Sequence, residues 1–328
     1  MDVHFIVIGK LTREFLLPAV GQPRLDAPGG SLLYAAGGLG VWESGVGLVG
    51  RAGDDYPRAW LNEVKKRGFD TSGIRLQPQA LDVREFIAYN EAFEVSRINP
   101  VGHFARRGMT VPKSLLGYQP ERKAEEALRL TVRDIPDDYL TARAAYLCPL
   151  DLVTQTQLMA GLKRGAVHTF VLDPSSDSMI PALRRELPAL LNSVTAFLPS
   201  EEEIRNLFQA ETHDLWEMAE AVALYGCEYV VIKRGAQGQL FYDAAAKRRW
   251  EIPAYPARAE DVTGAGDAFG GGFLAGFCND YDPLEGVLCG NVSASLKLEG
   301  MGAFHPLDVL PGLAHARLGA LRDMVRRA

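Results

Sequence analysis

Two carboxylates, Asp261 and Asp267, bracket a Gly-Ala-Gly turn in "DVTGAGDAFGGGFLAGF", which then runs into an apolar, glycine-studded stretch. Beyond the turn Phe269, Phe273 and Phe277 recur at spacing four, with Ala268 and Gly272 on a small face. That spacing predicts a helix that begins at the turn. The first N–H groups of a helix lack intrahelical partners, and together with the helix dipole they attract an anion such as a phosphoryl group in transit. Here they would belong to Gly264, Ala265, Gly266 and Asp267. An acid in that first turn is expected to stay ionised, close enough to take a proton from a hydroxyl attacking phosphorus, which is what alcohol phosphorylation requires. A helix start favours an acid for its own sake, so capping and catalysis both stay open on this segment alone.

Other segments carry chemistry of the same kind. The pair Gly29-Gly30 in "PGGSLLYAAGGLG" would let backbone amides approach hydroxyls closely before a small-residue helix, although a plain tight turn has the same look. The acids Glu201, Glu202 and Glu203 follow a strand-like run, where they either organise a hard cation or simply favour a helix start. The segment "VVIKRGAQGQLFYD" places Lys233, Gly235 and Gly238 around a glycine turn between two strand-like runs. His4, His103, His168, His213 and His305 show no metal-ligand spacing, and the tryptophans sit at helical spacing typical of packing.

These residues need a scaffold. The 328 residues are 47% hydrophobic and 23% charged, ample for a core, and the net charge of -6 argues against a nucleic-acid surface, which needs clustered Lys and Arg. Four scattered cysteines give neither a zinc motif nor a disulfide framework, so a reduced, cytoplasmic chain is expected. The N-terminus has no signal-peptide pattern, and no apolar run nears the roughly 18 residues of a membrane span. Short apolar runs at His4 to Gly9, Ala144 to Leu150, Thr169 to Pro174, Thr195 to Ser200 and Tyr229 to Gly235 read as buried strands. Helical spacing lies between them at Pro57 to Gly68, Leu152 to Gly165 and Thr212 to Gly226. The alternation predicts a mostly parallel sheet covered on both faces. Residues 82–120 break the pattern with aromatics and prolines but no clear period, and read either as a lid or as a surface insertion.

The segment Asp261 to Phe277 closely resembles the C-terminal signature of the ribokinase-like, or PfkB, family of sugar and nucleoside kinases, and "PGGSLLYAAGGLGVWESGVGLVGRAGDD" is similar to its N-terminal glycine-pair signature. The resemblance covers nearly the whole chain. It implies one α/β domain over 1–328, a three-layer fold with helices on both faces of a mostly parallel sheet and a small β lid, its segments near 11–28 and 82–120. It implies Asp267 as catalytic base, an anion hole of Gly264, Ala265 and Gly266, and Asp261 near the substrate and a potassium site. Gly29 and Gly30 would contact the sugar. "LPSEEEIRNLF" is similar to the family's NxxE motif, which makes Glu203 the acid organising magnesium and Ser200 its partner near the nucleotide. Lys233, Gly235, Gly238 and Asn291 fall on the ATP side. The partners implied are a sugar-like substrate and ATP, with no nucleic acid or membrane, and a homodimer through the lid stays open.

The pattern has three departures. Glu14 stands where the family usually has Asp for sugar hydroxyls, Tyr34 where the glycine-pair motif usually has Asn, and Ser200 where NxxE has its Asn. The principal expectation is an ATP-dependent kinase acting on a hydroxyl of a sugar or sugar-like molecule. A nucleoside kinase is the near rival, because Tyr34, Phe86, Tyr89, Phe93 and Phe104 could stack a base. A non-catalytic sensor that kept the fold is the more distant one. In the lid, Arg84, Arg97, Arg106 and Arg107 could recognise an acidic substrate or could simply be solvated.

Overall fold

The structure is a computed structural model that describes residues 2–119, 126–209 and 211–327. In chain order the first strands are β1 (Phe5–Ile8), β2 (Thr12–Leu17), β3 (Arg24–Gly29), β4 (Val46–Gly53), β5 (Asp70–Gln77), β6 (Arg84–Tyr89) and β7 (Val95–Ser96). They are followed by β8 (Ala144–Leu147), β9 (Thr169–Leu172), β10 (Ala196–Phe197), β11 (Tyr229–Lys233), β12 (Gln239–Asp243), β13 (Arg248–Ile252) and β14 (Arg326–Arg327). The helices are α1 (Ser31–Gly40), α2 (Arg58–Lys66), α3 (Pro100–Arg106), α4 (Leu152–Leu162), α5 (Leu187–Leu191), α6 (Glu201–Phe208), α7 (Leu215–Ala223), α8 (Ala265–Asp280), α9 (Pro283–Leu298) and α10 (Leu313–Arg322).

Ten strands form one central sheet in the order β14-β13-β12-β11-β10-β9-β8-β1-β4-β5. From β11 to β5 the pairings are parallel, with Phe5 opposite both Val46 and Ala144, and β12, β13 and β14 add an antiparallel edge. The side-chain period of two splits each buried strand between two cores. Phe5 and Val7 join one, with residues of α1, α8 and α9, while Ile6 and Ile8 join the other, with residues of α4, α5, α6 and α7. Each fully buried Leu, Ile, Val or Phe contributes about 1.5–3 kcal/mol, so this two-sided burial is what makes the strands continuous apolar runs. The expected three layers are therefore present. β4, β5 and β13 were not among the expected strands, because Gly and Arg interrupt their apolar pattern.

The two irregular segments meet in a second sheet of order β3-β2-β6-β7. It has its own small core of Phe15, Leu17, Phe86, Ala88, Phe104 and Leu115. Residues 82–119 contain β6, whose three central residues are buried while its ends are only half-buried, so no uniformly buried strand lies there; Pro120 lies outside the described residues. Phe86 and Phe104 fill this core and are closed to a base, which removes them from the expected stacking set. The four arginines do not converge either. Arg84 pairs with Asp82 at 2.7 Å and donates to the Ser114 and Leu116 carbonyls, Arg97 pairs with Glu85, Arg107 donates to the Pro18 carbonyl, and Arg106 to that of Gly102. Among the described residues no helix is long and apolar enough to cross a membrane.

Candidate active site

The turn before α8 is built for an open end. Gly264 is the N-cap at φ 71°, a conformation that side chains other than glycine's rarely adopt, and a Cβ there would also fall 2.0 Å from the ring of Tyr34. Among the described residues no side chain caps α8. The Ala265 N–H closes the turn onto the Val262 carbonyl at 3.3 Å, so Ala265 drops out of the expected anion hole. The amides of Gly264, Gly266 and Asp267 find no hydrogen-bond partner among the described residues. Behind them Phe269, Phe273 and Phe277 stack at 6.5 and 6.1 Å and anchor the helix.

Asp267 stands in the first turn, half-buried, and its carboxyl makes no hydrogen bond or ion pair among the described residues. Burial, and next the charge of Asp173, push its pKa up to about 8 against the opposing pull of Lys233. Against the expectation that this acid stays ionised, its surroundings in the free protein favour the neutral form. Asp173 lies just past the carboxyl end of β9 and Lys233 ends β11, so this cluster sits where open α/β sheets place ligands. The Lys233 ammonium donates to Asp173, which also accepts from the Tyr146 hydroxyl at 3.0 Å. Burial raises the Asp173 pKa to about 6 even so. Burial opposes the Lys233 charge, but Asp173 and Glu203 outweigh it and hold its pKa above the ordinary value. A Cβ on Gly266 would lie 3.5 Å from Lys233 Nζ, which puts the ammonium at the mouth of the open amides.

Glu203 and Ser200 form a reciprocal cap at the start of α6: Ser200 N–H donates to Glu203 at 2.8 Å and Glu203 N–H to the Ser200 hydroxyl at 3.2 Å. The second Glu203 oxygen accepts from Ser176 at 2.9 Å. The helix-start role thus coexists with its charge acting on Asp173 and Lys233. No group of three or more His, Cys, Asp or Glu among the described residues could cage a metal.

On the other side of the turn lies a sealed network. Gly30, at φ 94°, donates its amide to Glu14 at 2.9 Å, and the Tyr34 hydroxyl donates to Glu14 at 2.7 Å. Arg24 stands 3.6 Å from Glu14. Glu14 is 1% exposed, and its burial, only partly offset by Tyr34, raises its pKa to about 7. The Tyr34 ring, also 1% exposed, is covered by Gly264 and by Lys297 Nζ 5.5 Å from the ring centroid, so it offers no face to a base. Asp261 pairs with Lys297 at 2.8 Å and accepts from the Thr263 N–H at 2.9 Å. The second sheet reaches this loop: the Thr263 hydroxyl donates to Tyr89 at 3.2 Å.

The family described as pfkB family carbohydrate kinase matches residues 138–310. The chain belongs to the pfkB family. Like its family it is a carbohydrate kinase, with the ribokinase-like fold. It is 28% identical over 283 residues to a cytidine kinase of Thermococcus kodakarensis, covering 86% of this chain and 91% of the relative. Two solved structures share the fold. One is a putative ribokinase II from E. coli in complex with ATP and magnesium, with TM-score 0.72 and 17% identity, covering 97% of this chain and 99% of that one. The other is a fructokinase double mutant of Vibrio cholerae in a fructose, ADP and potassium ion bound form, with TM-score 0.71 and 18% identity at the same coverage.

Against the pfkB pattern, the structure brings Asp267, Gly264, Gly266, Lys233 and Glu203 to one end of the turn and Glu14, Gly29, Gly30, Tyr34 and Asp261 to the other. Asn291 joins neither. It is 3% exposed, donates to Gln239 at 2.7 Å and the Pro253 carbonyl at 2.9 Å, and accepts from Tyr255 N–H, so its amide is spent on holding 253–255 rather than facing a nucleotide. Gly238 serves the β11–β12 turn, while Gly235 is exposed. Sequence reasoning missed Asp173, whose signal was an acid just beyond a buried run in "TFVLDP". It also missed Lys297, a lone lysine in the apolar helix run "VSASLKL".

Proposed function

We propose that the chain transfers the γ-phosphoryl group of ATP to a hydroxyl of a sugar or sugar-like molecule, with Asp267 as general base. The observation that carries this reading is the unpaired Asp267 carboxyl beside three open amides and the Lys233 ammonium. The acceptor hydroxyl loses its proton to the ionised Asp267 as its oxygen bonds phosphorus, and the bond from phosphorus to the ADP oxygen breaks. The amides of Gly264, Gly266 and Asp267 receive the charge spread over the transferring group, already aligned for it. The charge of Lys233 favours the ionised form of Asp267.

The acids crowded around Lys233 fit a magnesium ion that arrives on the nucleotide phosphates, since magnesium is held by one or two carboxylates, phosphates and water rather than by a protein cage. Glu203 and Asp173 would hold it through water, and when bound it supplies charge neutralisation. The oxygens beside Asp261 do not fit a potassium ion in the same way, because the Lys297 ammonium already fills them. We read the four-stranded sheet as a lid that closes over acceptor and turn, supported by the Thr263–Tyr89 contact. Val20, Val95, Ile98, Val101 and Leu116, all half or more exposed in lid segments, suit pairing with a second copy, which sedimentation would reveal as a dimer.

A nucleoside acceptor is the second reading, favoured by the likeness to a cytidine kinase over 86% of the chain. Tyr89 and Phe93 remain part-exposed to meet a base, whereas Tyr34, Phe86 and Phe104 do not. A screen of ADP release over sugars, sugar acids and nucleosides separates the two readings, and no acceptor raising ADP release above the acceptor-free rate would reject both.

A further inference from the structure

Lys297 is the one fully buried lysine among the residues around the turn, and nothing in phosphoryl transfer as described uses it. Its ammonium lies at 2.8 Å from Asp261 Oδ2, 3.0 Å from the Asp261 carbonyl and 3.1 Å from the Gly300 carbonyl. Three acceptors use all three N–H bonds of an ammonium, whereas a neutral amine has only two donors, so the oxygen set selects the charged form. Burial pulls the pKa down and the Asp261 carboxylate opposes it. The π-face of Tyr34 covers the same ammonium from 5.5 Å.

These oxygens come from two loops that meet here. One is the loop running from Asp261 to the open amides, and the other is the turn that ends α9. Asp261 N–H and Glu260 N–H both donate to the Leu298 carbonyl, and Asp261 Oδ1 holds the Thr263 N–H, one residue before Gly264. The ammonium therefore fixes both oxygens of Asp261's contribution, and Asp261 in turn sets the direction of the chain into α8. A cluster of carbonyl and carboxylate oxygens around one positive charge is what a bound monovalent cation would require, and the same three oxygens cannot accept both.

We propose that Lys297 is a built-in monovalent cation, a positioning residue whose tethered ammonium holds the 261–267 loop in its anion-binding form, so that the chain needs no potassium for phosphoryl transfer. This deepens the kinase reading and rests on it for the consequence to turnover, but the cation site itself is testable without an acceptor. A tethered charge has an advantage over a free ion: it is always at its site, and its position does not depend on salt.

Three measurements test this. Wild-type protein should bind magnesium-ATP with equal affinity, and turn over equally once an acceptor is known, in potassium, sodium and choline chloride at matched ionic strength. A severalfold rise confined to potassium would overturn the proposal by revealing a separate ion site. Lys297→Ala removes the ammonium and leaves room for a free ion. In choline chloride it should melt several degrees lower and bind magnesium-ATP at least about tenfold more weakly; potassium or ammonium chloride should restore both, since a ligand that binds only the folded form raises its stability. Lys297→Met fills the space with a neutral chain and should show the same losses with no rescue. Equal behaviour of Lys297→Ala in every salt, whether folded or unfolded, would overturn the proposal. Failure of wild-type protein to bind magnesium-ATP would count against the kinase reading, and the potassium-dependent melt of Lys297→Ala would still report on the cation site.

Discussion

The two ionic clusters on either side of the Gly264–Asp267 turn use similar residue types and solve opposite problems. On one side Glu14, Tyr34, Asp261 and Lys297 are all 1% exposed or less, and each charged group is met by hydrogen-bond partners from other elements. On the other side Asp173, Glu203 and Asp267 share the single ammonium of Lys233, and the Asp267 carboxyl has no hydrogen bond among the described residues. The first cluster finds its partners within the chain and so holds a shape. The second sets three carboxylates against one ammonium, so that burial and the neighbouring acids together raise Asp173 and Asp267, and it is suited to be completed by cations and phosphates. A site that must accept charge is left unmatched, and its frame is matched so that the unmatched side does not collapse.

The largest expected effect breaks the comparison at its centre. Asp267→Asn keeps the shape of the first turn but takes no proton, so acceptor-dependent ADP release should fall by roughly 10²–10⁴ with the melt retained. A folded variant turning over near the wild-type rate would reduce Asp267 to a helix-start residue. Next, Lys233→Met should lower turnover by about 10² and cost about 3–5 kcal/mol in denaturant unfolding, because Asp173 is left buried without its cation. The double variant Asp173→Asn/Lys233→Met should regain most of that stability without regaining turnover. Joint recovery of both would place Lys233 outside the chemistry.

A pH titration sharpens the contrast at smaller scale. Folding raises the carboxyls of Asp267, Glu14 and Asp173 to about 8, 7 and 6. The folded chain then binds more protons than the unfolded one from about pH 4 upward, so their contribution to stability is full below about pH 4 and is lost as pH rises toward about 8. Asp267→Asn removes the highest of the three, and its melting temperature should fall less than the wild type's between pH 5 and pH 9 (roughly the window these shifts span). Parallel melting curves would show that Asp267 is not perturbed. The smallest effect belongs to Glu203→Gln. Glutamine keeps the reciprocal cap with Ser200, so stability should stay within about 0.5 kcal/mol, while the magnesium requirement rises. An unchanged magnesium titration would leave Glu203 with the cap alone.

The helix behind the Gly264 turn, the strands near Phe5, Ala144, Thr169 and Tyr229, and the acid at Asp267 were legible because each depends on local rules: spacing, glycine geometry and unpaired helix amides. From residue patterning the second sheet was legible only as an interruption, and the family resemblance alone implied strands there, since they bury one face against a core of Phe15, Phe86 and Phe104 drawn from segments far apart in the chain. The layered fold, the glycine turn that starts a helix and the family could thus be read before any tertiary contact was known. Only the tertiary structure decided that Tyr34 and Glu14 are sealed, that Asn291 is spent on the backbone near Pro253, that Asp173 claims Lys233, and that Lys297 fills the oxygens beside Asp261. Charge and burial are settled by groups brought together across the fold, and in a low-dielectric interior those distant partners outweigh any preference written in the neighbouring residues.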